Sequence, residues 1–190
     1  MYQTSSDPRD DKATWFVLLL PLVFVLSGTV LRFLAIRYQL PDSDWGNYFG
    51  VLCRWDCPWY VKMAESGYDP FPVPSRINAG NWAFFPFYPM LVGLIAKVVA
   101  LPTIVTASLV SVATAYAAVV VAWPLLGRDR RAYTLYAAFI LSGPLSFYFT
   151  TFFTEVAYVL LTTLVFRFLG RSNYLGAAVA TALLSATRIV

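Results

Sequence analysis

An apolar run from Thr14 to Ile36 sets the strongest constraint on how this chain folds. The run is long enough for the roughly 20 residues that a bilayer-spanning helix requires. The rest of the chain agrees, because 59% of its residues are hydrophobic and only 13% are charged, whereas a soluble domain carries about 25% charged residues. No small-residue cleavage site follows the run before Arg37, so we expect an uncleaved anchor in an integral membrane protein.

The distribution of basic residues indicates how the other apolar runs are arranged. Residues 86–101 form a short apolar run, and a crossing there would place Arg128, Arg130 and Arg131 on the outer face, against the positive-inside rule. If the run instead lies in the interface with Lys97 reaching the headgroups, every short basic cluster falls on one side. The sequence therefore predicts an all-α polytopic fold with about five spans and one interfacial helix. The predicted spans are 14–36, 103–126, 132–150, 155–170 and 174–190, and residues 1–13 form a cytoplasmic tail.

The predicted membrane domain, residues 14–190, contains one long polar segment. This segment runs from Arg37 to Trp82 and holds four of the six tryptophans, a residue that concentrates where a membrane meets water. We therefore expect residues 37–101 to form an extracytoplasmic first loop with interfacial helices. One of these helices is predicted over Trp59–Ser66 and is closed by Gly67.

The residue types that the chain lacks narrow the possible chemistry. There is no histidine, which is the commonest general base and the commonest metal ligand. Cys53 and Cys57 do not make a zinc site, and one helical turn is awkward geometry for a disulfide, so we expect them to be unpaired. The familiar nucleotide-binding and hydrolase motifs are absent, and a dispersed net charge of +4 does not favour nucleic acid. We expect no metal ion and no cofactor.

Asp56 is the first candidate for acid–base chemistry. It follows Trp55 at the predicted membrane boundary, where partial desolvation makes a carboxylate a competent base. The alternative is an ordinary solvated aspartate paired with Arg54 or Lys62. Glu65 has a similar alternative, a surface pair with Lys62 on the same helix.

Two further candidates lie at predicted helix ends on the same outer face. An ionised Glu155 beside an apolar stretch is costly unless it is satisfied, although it also fits the first turn of a helix capped by Thr154. Arg188 is either a headgroup anchor or a ligand for a lipid phosphate. Carboxylates and a cation near lipid phosphates favour transfer of a group from a lipid-phosphate donor to a hydroxyl, a reaction that needs no free nucleotide.

Four segments, in this order, resemble the PIG-V family of mannosyltransferases, which act like the second mannosyltransferase of GPI-anchor assembly and have bacterial relatives. The segments are RWDCPWYVKMAESGYDP, NWAFFPFYPMLVGLIAK, SGPLSFYFTTFFTEVAYVLL and LLSATRIV. The matching elements are Trp55-Asp56 with Ala64 to Tyr68, Asn81 to Pro89, Pro144 to Ser146 with Thr154-Glu155, and Thr187-Arg188. The family's Y-T-E or Y-S-E reads FTE here. The family is also longer, so we expect this chain to be an N-terminal fragment.

The resemblance implies a GT-C fold with its active site in the first outer loop. It implies transfer of a mannose-type sugar, with inversion, from a polyprenyl- or dolichyl-phosphate donor to a hydroxyl of a glycolipid or other acceptor. Asp56 would be the catalytic base. The supporting or substrate-binding positions would be Trp55, Glu65, Asn81, Glu155 and Arg188. The membrane would be the plasma membrane in a bacterium or the endoplasmic reticulum in a eukaryote, with the N-terminus in the cytosol.

Two other interpretations stay open. The first is a non-catalytic polytopic membrane protein, such as a transporter or an assembly subunit. Transporters tend to carry charges near the membrane midplane and to contain repeated halves, whereas here the candidate charges cluster at predicted helix ends. The second is an inactive enzyme fragment that keeps the motifs but cannot hold the lipid.

Overall fold

The computed structural model describes residues 8–72, 74 and 78–188, with side chains from residue 14 onward. These residues form helices joined by turns, without a β-strand. The helices are α1 (Pro8–Gln39), α2 (Tyr48–Leu52), α3 (Cys57–Ser66), α4 (Phe87–Val99), α5 (Thr103–Ala122), α6 (Arg130–Leu141), α7 (Phe147–Thr150), α8 (Glu155–Leu169) and α9 (Tyr174–Ser185), and a 3₁₀ turn covers Asn81–Ala83. The prediction of an all-α fold is confirmed.

Two of the described helices are long and apolar enough to cross a bilayer. They are Thr14–Gln39 within α1 and Thr103–Ala122, which is α5. Only 17% of the most apolar stretch of α1 is buried inside the protein, so this helix is not the core of a soluble domain. Its outward face carries large aliphatic side chains, which favour contact with lipid. The exposed residues include Leu19, Leu22, Val23, Leu26, Val30, Leu31 and Leu34.

Helices α1, α5 and α6 pack together through close backbone approaches and two tyrosines. A Cβ atom at Gly28 would lie 2.3 Å from the Leu141 carbonyl oxygen, so the crossing of α1 and α6 requires glycine there. The hydroxyls of Tyr133 and Tyr116 donate to the carbonyls of Val17 and Leu18. These bonds join α1 to α6 and α5 near the N-terminal part of α1.

The prediction of one continuous helical span over 132–150 is wrong, because the helix is interrupted. α6 ends at Leu141, and a turn through Gly143 and Pro144 separates it from the single-turn helix α7. Glycine is a poor helix former and proline supplies no N–H for the helical hydrogen bonds, so the two together at 143 and 144 favour a break here. The runs predicted at 155–170 and 174–190 begin one helix each, but α8 has 15 residues and α9 has 12, fewer than the roughly 20 of a typical span.

The first loop contains the short helices that its sequence predicts. α3 starts at Cys57, two residues before the predicted Trp59, and it ends at Ser66 as expected. Gly67 follows at φ +76°, where glycine carries no Cβ penalty. α4 has 13 residues, about 20 Å at 1.5 Å per residue, which is short for a crossing. A Cβ at Gly93 of α4 would lie 2.1 Å from the Ala64 carbonyl oxygen, so α3 and α4 touch backbone to backbone.

The candidate residue Glu155 and the basic residue Arg167 lie at opposite ends of α8. Its first residue is Glu155 and its last turn carries Arg167. Twelve residues separate them in sequence, about 18 Å along a helix axis. We call the Glu155 end the acidic end and the Arg167 end the basic end.

Candidate functional site

A cavity of about 250 Å³ opens at the acidic end. It brings together Asp56, Glu155 and Arg188, three of the residues singled out from the sequence, although they come from three distant segments. The full lining is Asp56, Tyr60, Ala83, Phe84, Phe85, Thr154, Glu155, Thr187 and Arg188. We call this space the acidic cavity.

Asp56 lies at the rim of the acidic cavity with an exposed side chain. It is the residue before α3, and its backbone carbonyl accepts hydrogen bonds from the N–H groups of Trp59 and Tyr60. Its carboxylate makes no capping hydrogen bond to the helix. Neither of the cations proposed as its partner is paired with it. Arg54 donates to the Val51 carbonyl, and Lys62 forms an ion pair with Asp69. Among the described residues the Asp56 carboxylate has no hydrogen-bond or ion-pair partner, so it is free to accept a proton.

A disulfide brackets Asp56, which corrects the prediction that Cys53 and Cys57 are unpaired. Their sulfurs are bonded and their Cα atoms are 5.2 Å apart, within the usual range for such a bridge. The prediction assumed one continuous helical turn, whereas α2 ends at Leu52 and α3 begins only at Cys57. Between them Trp55 adopts φ +51°, a left-handed conformation that costs a non-glycine residue energy. The bridge therefore holds a strained loop that presents Asp56.

Glu155 and Arg188 form an ion pair across the cavity. Arg188 Nη1 donates to Glu155 Oε1 at 3.0 Å. The two residues meet because α8 and α9 are antiparallel, so the start of α8 lies beside the end of α9. The Phe87 N–H donates to the Ala186 carbonyl and ties α4 to the same corner. Glu155 is the first residue of α8 after Thr154, as the structural alternative predicted, and it lines the cavity at the same time.

The ion pair leaves hydrogen-bonding capacity on both partners. Glu155 Oε2 is buried and accepts no hydrogen bond from the described residues. The Arg188 side chain is 54% exposed, and a guanidinium has five N–H donors, of which Glu155 occupies one. The exposed donors of Arg188 can therefore bind an anionic oxygen of a ligand, whereas Glu155 Oε2 is enclosed.

Tyr60 forms the inner wall of the acidic cavity. Burial raises the pKa of its phenol above the ordinary value, and the negative charges of Glu155 and Asp56 act in the same direction, whereas a hydrogen bond with Thr154 and the charge of Arg188 oppose the rise. The phenol oxygen lies 3.5 Å from the Thr154 hydroxyl. Tyr60 therefore stays protonated at neutral pH and can donate a hydrogen bond into the cavity.

The other three positions predicted for the site lie outside the cavity lining. Trp55 is 68% exposed and its ring packs against Phe147 and Tyr148, next to Asp56 in the chain. Glu65 lies in a different groove, between α3 and α4, together with Lys97. It does not pair with Lys62, which binds Asp69 instead.

Asn81 is fully buried and acts as a clamp within the first loop. Its side chain accepts from the Asp69 N–H and donates to the Gly67 carbonyl, while its own N–H donates to Asp69 Oδ2. The Trp82 indole N–H donates to the Asp69 carbonyl. These bonds close the loop just before Phe84 and Phe85, so Asn81 positions the cavity wall rather than facing the cavity.

Several residues at this end were not predicted from the sequence. Tyr60 was not singled out, and Thr187 was noted only as part of the Thr187-Arg188 element, whereas the structure places both in the lining of the acidic cavity. Arg32 did carry a signal, because a charged residue inside an apolar run is a candidate for function. It does not line the cavity. Its Nη1 donates to the Ser146 hydroxyl at 2.7 Å, and its buried Nε has no partner among the described residues.

Among the described residues, no three His, Cys, Asp or Glu side chains gather where they could hold a metal ion. Comparison with protein families, with curated proteins and with solved structures finds no match to this chain. The geometry of the acidic cavity therefore carries the functional argument.

Proposed function

We propose that this protein transfers a mannose-type sugar from a polyprenyl- or dolichyl-phosphate donor to a hydroxyl of a glycolipid or other acceptor, with inversion. The observation that carries the proposal is the unpartnered Asp56 carboxylate facing the Glu155–Arg188 pair across one cavity. The local resemblance to PIG-V mannosyltransferases supports the choice of donor and sugar. On this proposal the short helices complete the N-terminal part of a GT-C fold with about five spans.

The proposed reaction is a single displacement at the anomeric carbon. The acceptor hydroxyl oxygen bonds to that carbon while the bond from the carbon to the phosphate oxygen of the donor breaks. Asp56 takes the proton of the hydroxyl, and the lipid phosphate leaves with the electron pair. One base in line with the leaving group is enough for inversion, and Asp56 is the carboxylate of this cavity that no cation neutralises.

The other groups of the cavity can bind the leaving phosphate and the sugar during this step. Arg188 has donors left over from its bond to Glu155 and can stabilise the charge that develops on the leaving phosphate. Glu155 holds the Arg188 guanidinium in place through Oε1. Tyr60 can donate to the sugar because its phenol remains protonated. The rings of Phe84 and Phe85 supply an apolar wall at the membrane boundary.

The proposal places the acidic cavity on the outer or lumenal face of the membrane and the N-terminus in the cytosol. This arrangement puts the basic end on the cytosolic side, where the positive-inside rule expects it. The sugar donor is a substrate delivered within the membrane, so the proposed reaction uses no nucleotide and no cofactor.

The test is the Asp56→Asn variant, assayed in membranes with radiolabelled polyprenyl-phosphate mannose. Loss of a general base lowers a rate by roughly 100-fold to 10,000-fold, so we expect labelled product to fall at least about 100-fold. The matched control is Asp42→Asn, which makes the same change at another exposed aspartate of the first loop that lies outside the cavity.

The two variants together separate catalysis from insertion. We expect equal amounts of both variants in the membrane and full transfer by Asp42→Asn. Full transfer by Asp56→Asn would remove the proposed base, and an equal loss in both variants would point to a general defect of the first loop.

A further inference from the structure

A second, larger cavity lies at the basic end, away from the proposed reaction. It has a volume of about 940 Å³ and opens between α1, α5 and α8. Four arginines line it. Arg128 lies in the turn before α6, Arg130 at the start of α6, Arg167 in the last turn of α8 and Arg171 in the turn after α8. The full lining is Thr14, Val17, Leu18, Val120, Val121, Trp123, Pro124, Arg128, Arg130, Leu164, Arg167, Phe168 and Arg171. We call this space the basic cavity.

The positive charge of the basic cavity is not compensated by the protein residues that the structure describes. Of the lining residues that the structure describes with side chains, from residue 14 onward, none is an aspartate or a glutamate. The nearest in sequence, Asp129, accepts the Ala132 N–H as the cap of α6. Arg167 is subject to repulsion from Arg171 and Arg128. A set of like charges that repel one another and lack carboxylates gains most from a multiply charged or bidentate anion.

The guanidinium groups are also free to bind. Among the described residues, the side chains of Arg128, Arg167 and Arg171 form no hydrogen bond or ion pair, and the Arg130 guanidinium lies 5.2 Å from the centre of the Phe16 ring. Arginine offers five donors in a fork that matches two phosphate oxygens. The arginines therefore offer several unused N–H groups to one ligand.

The walls of the basic cavity decide which kind of anion it fits. Below the arginines they are apolar, with Leu18, Val121 and Leu164 from three different helices. Trp123 stands at the level of the arginines, as an interfacial tryptophan does. A free inorganic anion would leave these walls uncovered, whereas a phospholipid places its phosphate among the arginines and its acyl chains between the helices.

We infer that the basic cavity is a binding site for an acidic phospholipid, with the headgroup phosphate held by Arg128, Arg130, Arg167 and Arg171. The inference is independent of the sugar-transfer proposal, because it concerns the opposite end of the helices. The lipid would anchor α1, α5 and α8 to one another on the side that carries the basic clusters.

The experiment titrates the delipidated full chain in neutral detergent with phosphatidylglycerol or phosphatidylcholine and counts bound lipid by native mass spectrometry. We expect tighter binding of phosphatidylglycerol. Each arginine near a lipid surface contributes about five-fold in affinity, so Arg167→Gln/Arg171→Gln should weaken phosphatidylglycerol binding on the order of 20-fold. The side chains of Arg167 and Arg171 form no hydrogen bond or ion pair with another described residue, so the double variant should fold.

The matched control is Arg131→Gln, which removes the same charge beside Arg130 but outside the cavity lining. We expect it to leave the preference for phosphatidylglycerol intact. Equal binding of the two lipids by the natural sequence, or phosphatidylglycerol binding that the double variant does not weaken, would overturn the inference. Displacement of the lipid by millimolar inorganic phosphate would show a site for the free anion and would also overturn it.

Discussion

The acidic end and the basic end of this protein both use arginine, but they treat its charge in opposite ways. At the acidic end Arg188 is paired with Glu155 at 3.0 Å, and the charge left without a partner is the negative one of Asp56. At the basic end four arginines share a cavity whose described lining contains no carboxylate. An end that offers a free carboxylate is suited to accept a proton, whereas an end that offers only cations is suited to hold an anion.

The two ends also differ in how firmly their backbone is fixed. At the acidic end a disulfide, the clamp around Asn81 and the glycine contact of α4 hold the loops around the cavity. At the basic end the arginines extend from helix termini and turns without hydrogen bonds from their side chains to the described residues. A chemical step needs groups fixed to within fractions of an ångström, while an anion site tolerates flexible side chains.

The variant with the largest expected effect on this comparison removes the negative charge of the Glu155–Arg188 ion pair at the acidic end. Glu155→Gln leaves Arg188 without the counter-charge that holds its guanidinium in place. We expect sugar transfer to fall on the order of 100-fold, because the reacting groups lose their alignment. The pair is partly exposed, so we expect the free energy of unfolding to change by less than about 1 kcal/mol.

The measurements for Glu155→Gln are the transfer rate and the thermal unfolding of the purified variant. Glu65→Gln serves as the control, since Glu65 lies in another groove, and it should retain its rate. A variant at position 155 with normal transfer would show that the ion pair is only a structural feature of the helix ends.

A second variant tests the close packing of the acidic end. The Cβ of Gly93→Ala would lie 2.1 Å from the Ala64 carbonyl oxygen, so α4 must move away from α3. Overpacking of this kind costs about 1–3 kcal/mol in the free energy of unfolding. Gly50→Ala is the control, because nothing lies within 4 Å of its added methyl. Thermal unfolding should separate the two variants, and equal melting temperatures would contradict the contact between α3 and α4.

The third variant removes the bridge around the Asp56 loop. Cys53→Ser/Cys57→Ser releases a five-residue loop, and we expect a loss of about 2 kcal/mol in the free energy of unfolding. Transfer should fall several-fold because the loop no longer presents Asp56 in one position. A membrane-impermeant reductant should lower the rate of the natural sequence and leave the double variant unchanged. Equal responses of both proteins would argue against the bridge as a positioning element.

Features governed by nearby residues were predictable from the sequence. α3 ends at Ser66 before Gly67, and α8 begins at Glu155 after Thr154, both as the sequence predicts, although the Thr154 side chain makes no capping hydrogen bond. Placing helix ends on one side put Asp56, Glu155 and Arg188 on one predicted face, and the structure adds that they line a single cavity. The function assigned to them stays a prediction.

Features that depend on distant contacts or on local breaks were missed. The helix predicted over 132–150 stops at Leu141 because Gly143 and Pro144 interrupt it. The sequence contains this pair, but the prediction followed the apolar run and ignored it. The disulfide was missed because the spacing of Cys53 and Cys57 was interpreted as one helical turn. The hydrogen bonds that join Asn81, predicted as a supporting or substrate-binding position, to Asp69 within the loop were also missed.

The central claim is that the acidic cavity opens to the outer face and the basic end lies in the cytosol. The natural cysteines are bonded to each other, so a single added cysteine provides the one free thiol. Ala83→Cys places it in the lining of the acidic cavity, and Ser172→Cys places it on the exposed turn after α8. Both variants can be treated in intact cells with a maleimide that does not cross membranes. The account predicts labelling of Ala83→Cys in intact cells and of Ser172→Cys only after permeabilisation. Labelling of Ser172→Cys alone in intact cells, or of both variants, would contradict it.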